Sequence, residues 1–351
     1  MQVEAANYVL LDTSQLVHLC DQRAVSRLAS RRFILDWGLP FISMHNLLEL
    51  AGTSDYSLLE QRLAMLSTVP ALYTLNHSGR PYPGSISDLA ATEIEAVWKL
   101  GGSDRGSIRE YVRDRIYPLK LEPNGEDTKA LFENSRRIAE KNSFLSAFSA
   151  SPMNPYLNTP LSKLGGLVLN SLGPPGLPKF TQDFTNALGT KGVTPEQTES
   201  FVNFFLSQFA TVQASTPHGI SIPQWVAKLA REELDLEKTL GHYLEIYYLK
   251  LQLLNASKIT SIPSADLEAK VRWSDVHTIR LGSCLQSELQ TLQTSDVRRP
   301  IETSSMADIH LAAYSLFVET FVDKRTLDLV RRANAQLNYN LALRRVTYVI
   351  P

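Results

Sequence analysis

The stretch Tyr8-Val9-Leu10-Leu11-Asp12-Thr13-Ser14 is an apolar run that closes on an acid and two hydroxyl residues. Four consecutive apolar residues before Asp12 predict a short buried strand that gives way to a loop at the acid. A helical pattern follows, so the chain begins as a strand and a helix. In open α/β sheets the ligand crevice forms beyond the carboxyl ends of the strands. We therefore expect Asp12 to lie at a ligand-binding edge of the sheet.

The same alternation of strand and helix patterns recurs at both ends of the chain. Strands are predicted at 8–11, 39–42, 71–75, 320–322 and 345–349. Helices are predicted at 13–30, 44–50, 88–99, 108–116, 307–316 and 326–335, with Ser43 and Ser87 as amino-terminal caps for the second and third. This order predicts an α/β fold with a parallel central sheet flanked by helices.

The middle of the chain has a different character. From about residue 127 to 300 the strand patterns disappear and long helical patterns take over, most clearly at 195–212 and 222–255. We predict one α/β domain in two parts, residues 1–126 and 301–351, interrupted by a mostly α-helical insertion at 127–300. The two α/β parts are expected to meet in space.

Composition restricts the class of protein only broadly. The 351 residues carry a formal net charge of −1, so any nucleic acid must be recognised by a local patch of charge. The two cysteines, Cys20 and Cys284, form no metal-ligand spacing and indicate a reducing compartment. Neither a signal peptide nor an apolar stretch of ~18 residues is present. These features predict a cytoplasmic protein with no membrane partner.

Four acids in four separate segments are the candidate site residues: Asp12, Glu49, Asp308 and Asp323. Asp12 and Asp323 each close an apolar run, and Glu49 and Asp308 lie on predicted helices. A single acid of this kind is ordinarily a loop cap or a solvated residue. A cluster is different, because two carboxylates ~6 Å apart repel by roughly 3 kcal/mol at an effective dielectric near 20. Convergence of the four would therefore favour a hard divalent cation.

The four acidic segments also carry a family resemblance. They read Leu10-Leu11-Asp12-Thr13-Ser14, then Ser43-Met44-His45-Asn46-Leu47-Leu48-Glu49-Leu50, then Asp308-Ile309-His310-Leu311-Ala312-Ala313-Tyr314, and finally Phe321-Val322-Asp323-Lys324-Arg325-Thr326. In this order they resemble the PIN-domain superfamily of metal-dependent nucleases. The resemblance covers roughly residues 7–100 and 301–351.

The resemblance implies hydrolysis of phosphodiester bonds with Mg²⁺ or Mn²⁺. It assigns the catalytic and metal-binding roles to Asp12, Glu49, Asp308 and Asp323, with Glu49 either a ligand or a group that orients water. Thr13 is a candidate contact to a ligand or a phosphate, and the adjoining Lys324 and Arg325 are candidate substrate contacts. We expect RNA as the substrate in preference to DNA. His310 is expected to pack rather than to act in catalysis.

Further basic residues give modest support for a nucleic acid partner. Arg23, Arg27 and Arg31 recur every four residues on the first predicted helix, and the C-terminus is enriched in Arg331, Arg332, Arg344 and Arg345. Either group of basic residues can bind phosphates. A solvated helix face explains the first group equally well.

Two other functions remain open at this point. One is a degenerate PIN-like scaffold without metal, whose helical insertion binds a protein partner. The other is a phosphatase acting on small phosphoesters. A phosphate-binding glycine loop, a GxSxG elbow and an HExxH motif are all absent, and an NTPase or a serine hydrolase is disfavoured. The oligomeric state does not follow from the sequence.

Overall fold

The computed structural model describes residues 7–10, 12–21, 38–52, 55–69, 71–77, 82–101, 104–122, 125–135, 160–163, 227–228, 230–271, 310–322, 324–337 and 343–345.

A six-stranded sheet organises the α/β region. Its strands are β1 Tyr8–Leu10, β2 Leu39–Phe41, β3 Tyr73–Leu75, β4 Ile116–Pro118, β5 Glu319–Val322 and β6 Leu343–Arg345, in the spatial order β4-β3-β2-β1-β5-β6. All neighbours are parallel except β3 and β4. The predicted α/β class with a mostly parallel sheet is therefore confirmed, and residues from both ends of the chain share the sheet.

Strand β1 lies between β2 and β5. Leu10 is in register with Phe41 on one side and with Thr320 on the other. The chain builds outward from β1 through β2 to β3, and later adds β5 and β6 on the opposite side of β1. Such a reversal of strand order opens a crevice beyond the carboxyl ends of the two strands that flank it. Here those strands are β1 and β5.

The helices of the described residues are α1 Thr13–Asp21, α2 Met44–Leu50, α3 Tyr56–Leu66, α4 Ile86–Leu100, α5 Arg105–Arg113, α6 Leu240–Thr260, α7 Ser264–Lys270 and α8 Lys324–Leu337. Residues 125–135 and 310–313 are also helical, and a 3₁₀ turn spans Tyr314–Leu316. Among these helices none is both long and apolar enough to cross a bilayer.

Helix α4 begins earlier than predicted. Its cap is Ser85 rather than Ser87, because the Asp88 carboxylate accepts hydrogen bonds from the Ser85 backbone N–H at 2.7 Å and from the Ser85 hydroxyl at 2.8 Å. This is a capping box, in which the residue three positions into the helix reaches back to the cap. The helix ends at Leu100, and its C-cap Gly101 has a φ of 67°, a left-handed conformation that costs glycine little.

Strand β4 falls where a helix is predicted. The helical pattern at 108–116 is wrong at its end, since α5 stops at Arg113 and Ile116 pairs with Leu75 of β3. Ile108, Val112 and Ile116 recur every four residues and are all buried, so a local pattern cannot separate the strand residue from the two helical ones. Pairing with β3 decides the conformation of Ile116.

A buried apolar core anchors α2 and α3. Leu47 and Leu50 of α2 and Leu59 and Leu63 of α3 belong to it, with Leu16 of α1. Fully burying one such side chain contributes about 1.5–3 kcal/mol relative to exposure. Leu47 and Leu50 hold α2 in place, while Glu49 and His45 of the same helix are only partly buried.

The chain divides into two compact units. One comprises Met1–Ala139, Gln252–Ser295 and Glu302–Pro351, and the other comprises Glu140–Leu251 and Asp296–Ile301. Of the described residues between 127 and 300, none belongs to the central sheet; the extended contact seen there is the isolated bridge of Pro160 with Thr239. The domain boundaries after residues 126 and 300 stay predictions.

The helix predicted at 222–255 is interrupted. Residues 232–239 are not helical, and α6 begins at Leu240. The Tyr243 hydroxyl accepts from the Asp235 backbone N–H at 2.6 Å and donates to the Glu233 carbonyl at 3.0 Å, which holds the preceding segment against α6. Arg231 has a φ of 53°, a left-handed value that stops a helix. The helix predicted at 195–212 lies outside the described residues.

Candidate functional site

Asp12 lies at the carboxyl end of β1, immediately before α1. One carboxylate oxygen accepts a hydrogen bond from the Ser14 hydroxyl at 2.9 Å, and the other faces the Ser14 backbone N–H at 3.4 Å. Asp12 therefore helps to begin α1, as a residue with a short acidic side chain commonly does. It is partly exposed, and carboxylate oxygens have further lone pairs that can bind a cation.

A chain of hydrogen bonds joins α1 to α2 beside Asp12. The Thr13 hydroxyl donates to the Glu49 carboxylate, and the Asn46 amide donates to the Thr13 oxygen at 3.2 Å. The Asn46 carbonyl oxygen in turn accepts from the Ser43 backbone N–H at 2.9 Å and from the Ser43 hydroxyl at 3.1 Å. The cap of α2 thus orients Asn46, which orients Thr13, which holds Glu49.

Asn46 is a residue that the sequence reasoning missed. It is fully buried and supports Glu49 through Thr13. Its position three residues after Ser43 follows the spacing of a capping box, with Asn in place of Glu or Gln, and that spacing was the available signal. Thr13 is 7% exposed, and its predicted contact to a ligand or phosphate stays a prediction.

Glu49 is the electrostatically unusual member of this group. Burial raises the pKa of its carboxyl to about 7, the Thr13 hydrogen bond partly offsets that rise, and the negative charge of Asp12 adds to it. In the described structure no Lys, Arg or His side chain forms an ion pair with Glu49. The structure therefore brings Asp12 and Glu49 close enough to interact, and no side-chain cation among the described residues compensates their charge.

Asp308 and Asp323 lie outside the described residues, but the chain on either side of them is informative. Asp323 directly follows Val322, the last residue of β5, and β5 is the parallel neighbour of β1. Strand β5 therefore delivers the chain to the same edge of the sheet as Asp12. Two residues after Asp308, the described helical segment 310–313 begins.

A histidine pair ties that helical segment to α2. The rings of His45 and His310 are stacked with centroids 4.2 Å apart, and one turn later Tyr314 packs on Phe41 of β2 with ring centroids 5.4 Å apart. His310 thus takes part in packing, as predicted. Burial, with the nearby His310, lowers the pKa of His45 to about 3, so His45 is neutral at physiological pH.

The described residues contain no group of three His, Cys, Asp or Glu side chains able to hold a metal ion. Only two of the four predicted ligands, Asp12 and Glu49, belong to that part of the chain. Carboxylate oxygens are the donors that Mg²⁺ and Mn²⁺ prefer, so the chemistry of these two side chains fits such a cation. The four-acid site stays a prediction.

The structure describes some of the predicted basic residues and not others. Lys324 is the first residue of α8 and is exposed, and Arg325 follows it in the same helix. Arg331 and Arg332 are exposed further along α8, whereas Arg344 and Arg345 are in β6. The stripe of Arg23, Arg27 and Arg31 lies outside the described residues. Substrate contacts by Lys324 and Arg325 stay predictions.

A second buried acid, Glu95 of α4, has very different neighbours. The Lys99 ammonium lies 2.8 Å from one carboxylate oxygen and the Arg115 guanidinium 3.5 Å from the same oxygen, while His77 lies 3.2 Å from the other. Burial raises the pKa of Glu95, but hydrogen bonds from Lys99 and Tyr111 and the charges of His77 and Lys99 bring it below its ordinary value. Neighbouring side chains therefore compensate the negative charge of Glu95, which has a structural role.

No protein-family model matches the chain, and no curated protein or solved structure gives a significant match. The resemblance to PIN-domain nucleases therefore rests on the four acidic segments themselves.

Proposed function

We propose that this protein is a Mg²⁺- or Mn²⁺-dependent nuclease that hydrolyses phosphodiester bonds, with RNA as its substrate. The observation that carries the proposal is the pair Asp12 and Glu49 at the carboxyl end of β1, where burial and like charge raise the pKa of Glu49 to about 7. Retaining a partly buried carboxylate beside another costs free energy unless a cation offsets the repulsion. A divalent cation would do so.

The remaining ligands are assigned by position. Asp323 follows β5, the neighbour of β1, and Asp308 precedes the helical segment that His310 ties to α2. Together with Asp12 they would hold the cation directly or through water. A divalent ion in such a site supplies an activated water and stabilises charge on the phosphate.

Glu49 would either bind the cation or orient the attacking water. Asn46 and Thr13 orient Glu49 through the hydrogen bonds described above. Lys324, exposed at the start of α8, and Arg325 would contact the phosphate backbone of the substrate.

Cleavage of end-labelled RNA and DNA in Mn²⁺, Mg²⁺ or EDTA tests the proposal on the whole chain. We expect cleavage of RNA with either metal, none in EDTA, and a loss of ~10² or more in rate for Asp12→Asn, which removes a metal contact while keeping the shape of the side chain. Apo stability of Asp12→Asn should stay equal or rise, because one of two repelling charges is gone.

The alternatives give distinct outcomes in the same assay. A degenerate scaffold cleaves neither nucleic acid under any metal condition, although it is folded. A phosphatase turns over p-nitrophenyl phosphate with metal and leaves labelled RNA and DNA intact. Unchanged Mn²⁺-dependent cleavage by Asp12→Asn would show that Asp12 is only the cap of α1.

A further inference from the structure

Helix α8 has the highest net positive charge of the eight helices named above in the described part of the chain. It carries four cations and one anion, a net charge of +3, although the whole chain has a net charge of −1. The cations are Lys324, Arg325, Arg331 and Arg332, and the anion is Asp328.

The position of α8 connects this charge with the proposed catalytic edge. Strand β5 ends at Val322, Asp323 follows it, and α8 begins at the next residue. Strand β6 is parallel to β5, so the segment between them, which includes α8, returns the chain from the carboxyl edge to the amino edge. Helix α8 therefore begins at the edge of the sheet that carries Asp12 and extends away from it.

Burial separates the two faces of α8. The buried residues are Thr326, Leu327, Val330 and Ala333. The exposed charged residues are Lys324, Asp328, Arg331 and Arg332. Packing therefore uses the uncharged face of the helix, and these charges are on the face that solvent or a partner can reach.

The cations of α8 form two pairs that are each seven residues apart. Lys324 and Arg331 are one pair, and Arg325 and Arg332 are the other. Seven residues are close to two full turns, so the two positions of a pair lie nearly in line, about 10.5 Å apart along the helix. The positive charge is therefore arranged in two rows that begin at the acidic edge, and not around a single point.

Asp328 is the opposing charge within these rows. It is one turn from Lys324 on one side and one turn from Arg331 and Arg332 on the other, a spacing at which helical side chains can pair. Among the described residues, however, no ion pair joins Asp328 to any of the three. The exposed cations of α8 are therefore available to an anionic partner.

The arrangement in rows favours an extended partner. A single anion would be bound by cations that surround one point, whereas a nucleic acid strand presents a phosphate at every nucleotide along its length. The phosphates that follow the one at the acidic edge would meet cations at intervals along α8. The charge pattern therefore fits a nucleic acid backbone better than a small anion.

We propose that the exposed face of α8 is the path along which an RNA strand extends from the acidic edge, with Arg331 and Arg332 contacting phosphates beyond those at Lys324 and Arg325. The inference rests on the proposed nuclease function for the class of substrate, but it concerns binding and does not require hydrolysis. Asp328 lies within the path and weakens the binding through like charge.

Fluorescence anisotropy of the full-length protein with a labelled single-stranded RNA of about 12 nucleotides tests the path, in EDTA and at several salt concentrations. Arg331→Gln and Arg332→Gln should each weaken binding about threefold and lower the salt slope by about 0.7, as for loss of one phosphate contact on a single strand. Lys129→Gln, at an exposed position of the helical segment 125–135 in the same unit, is the matched control and should bind as the wild type does.

Asp328→Asn gives a test of opposite sign. If phosphates lie along α8, removal of the negative charge should tighten RNA binding about threefold and leave the number of phosphate contacts, and so the salt slope, unchanged. A solvated helix face on which Asp328 merely balances the neighbouring cations predicts no change in RNA binding. Circular dichroism of each variant verifies that it is folded.

Three outcomes would overturn the proposal. They are the absence of RNA binding in EDTA, RNA binding that Arg331→Gln, Arg332→Gln and Asp328→Asn all leave unchanged, and competition by polyglutamate as effective as that by unlabelled RNA, which would assign the face to an acidic protein. The nuclease proposal fails separately. RNA binding that depends on α8 without cleavage in Mn²⁺ removes the hydrolysis and leaves the path, whereas Mn²⁺-dependent cleavage with unaffected binding by the variants removes the path alone.

Discussion

Glu49 and Glu95 are both substantially buried acids on helices of the α/β unit, but their surroundings are opposite. Glu95 has Lys99, Arg115 and His77 around its two oxygens, and its pKa is below the ordinary value. Glu49 has a hydroxyl and a second acid beside it, and its pKa is raised to about 7. Burial is common to both, so burial alone does not identify a functional acid.

The informative difference is the source of the compensating charge. For Glu95 the protein supplies the compensating positive charge from side chains on α4 and on the segment before β4, so the group of charges around Glu95 has a structural role. For Glu49 the described residues supply none, and a second carboxylate makes the deficit larger. Two neighbouring carboxylates without a compensating charge cost free energy in the folded protein. Such a pair is therefore a candidate site for a function that uses a bound cation.

The largest expected difference between the two acids is in catalysis. Glu49→Gln should reduce Mn²⁺-dependent RNA cleavage by ~10² or more, because it removes a ligand or the group that orients water. Glu95→Gln should leave the rate per folded molecule within about threefold, as expected for a substitution that touches no transition-state contact. Single-turnover cleavage, corrected for the folded fraction, measures both. Equal losses in the two variants would remove the distinction.

The next largest effect is the stability cost at Glu95. Removing one partner of a buried ion pair costs ~3–5 kcal/mol. Lys99 is 42% exposed and can regain water, which reduces the penalty. We therefore expect Glu95→Gln to lower the free energy of unfolding by ~2–3 kcal/mol, measured by urea denaturation at pH 7. A change below the error of that measurement would mean that the cations around Glu95 contribute nothing.

The pH dependence of stability should reveal the raised pKa of Glu49. The folded pKa of about 7 is above the ordinary value of 4.5, so the folded state binds more protons than the unfolded state between these pH values, and wild-type stability falls as pH rises through that window. Each pKa unit corresponds to ~1.4 kcal/mol, and partial solvation of the carboxylate reduces the total to about 2 kcal/mol.

Glu49→Gln is the control for this pH effect, since it cannot ionise. In EDTA it should match the wild type near pH 4.5 and exceed it in stability at pH 8. Denaturation curves at intervals across that range give the difference directly. A wild type that becomes more stable relative to Glu49→Gln as pH rises would show that Glu49 has a hidden cationic partner.

The smallest expected effect concerns substrate binding by Lys324, the predicted phosphate contact, in comparison with Lys99, the partner of Glu95. Lys324→Gln should raise the KM for RNA about threefold and lower the salt slope of binding by about 1, as for loss of one phosphate contact. Lys99→Gln is the matched control, because Lys99 is already paired with Glu95. Fluorescence anisotropy with labelled RNA at several salt concentrations measures both. Equal slopes for the two variants would contradict a phosphate contact by Lys324.

Prediction from sequence succeeded where one local pattern had one structural meaning. The apolar run before Asp12, the Ser43 cap and the run Thr320–Val322 each correspond to observed elements. It failed at Ile116, which continues the buried spacing of α5 but belongs to β4. It also failed at 232–239, where a continuous helical pattern is interrupted before α6 begins at Leu240. In both places contacts distant from the local pattern decided the outcome.

The sequence by itself determined where strands end in acids, where Ser43 begins a helix, and that both ends of the chain have α/β character, because these depend on neighbours a few residues away. Only the tertiary structure decided that β1 lies beside β5 and that Thr13 donates to Glu49 across 36 residues. Tertiary packing sets these contacts, because the desolvation of a side chain and the distances between charges depend on residues that are remote along the chain.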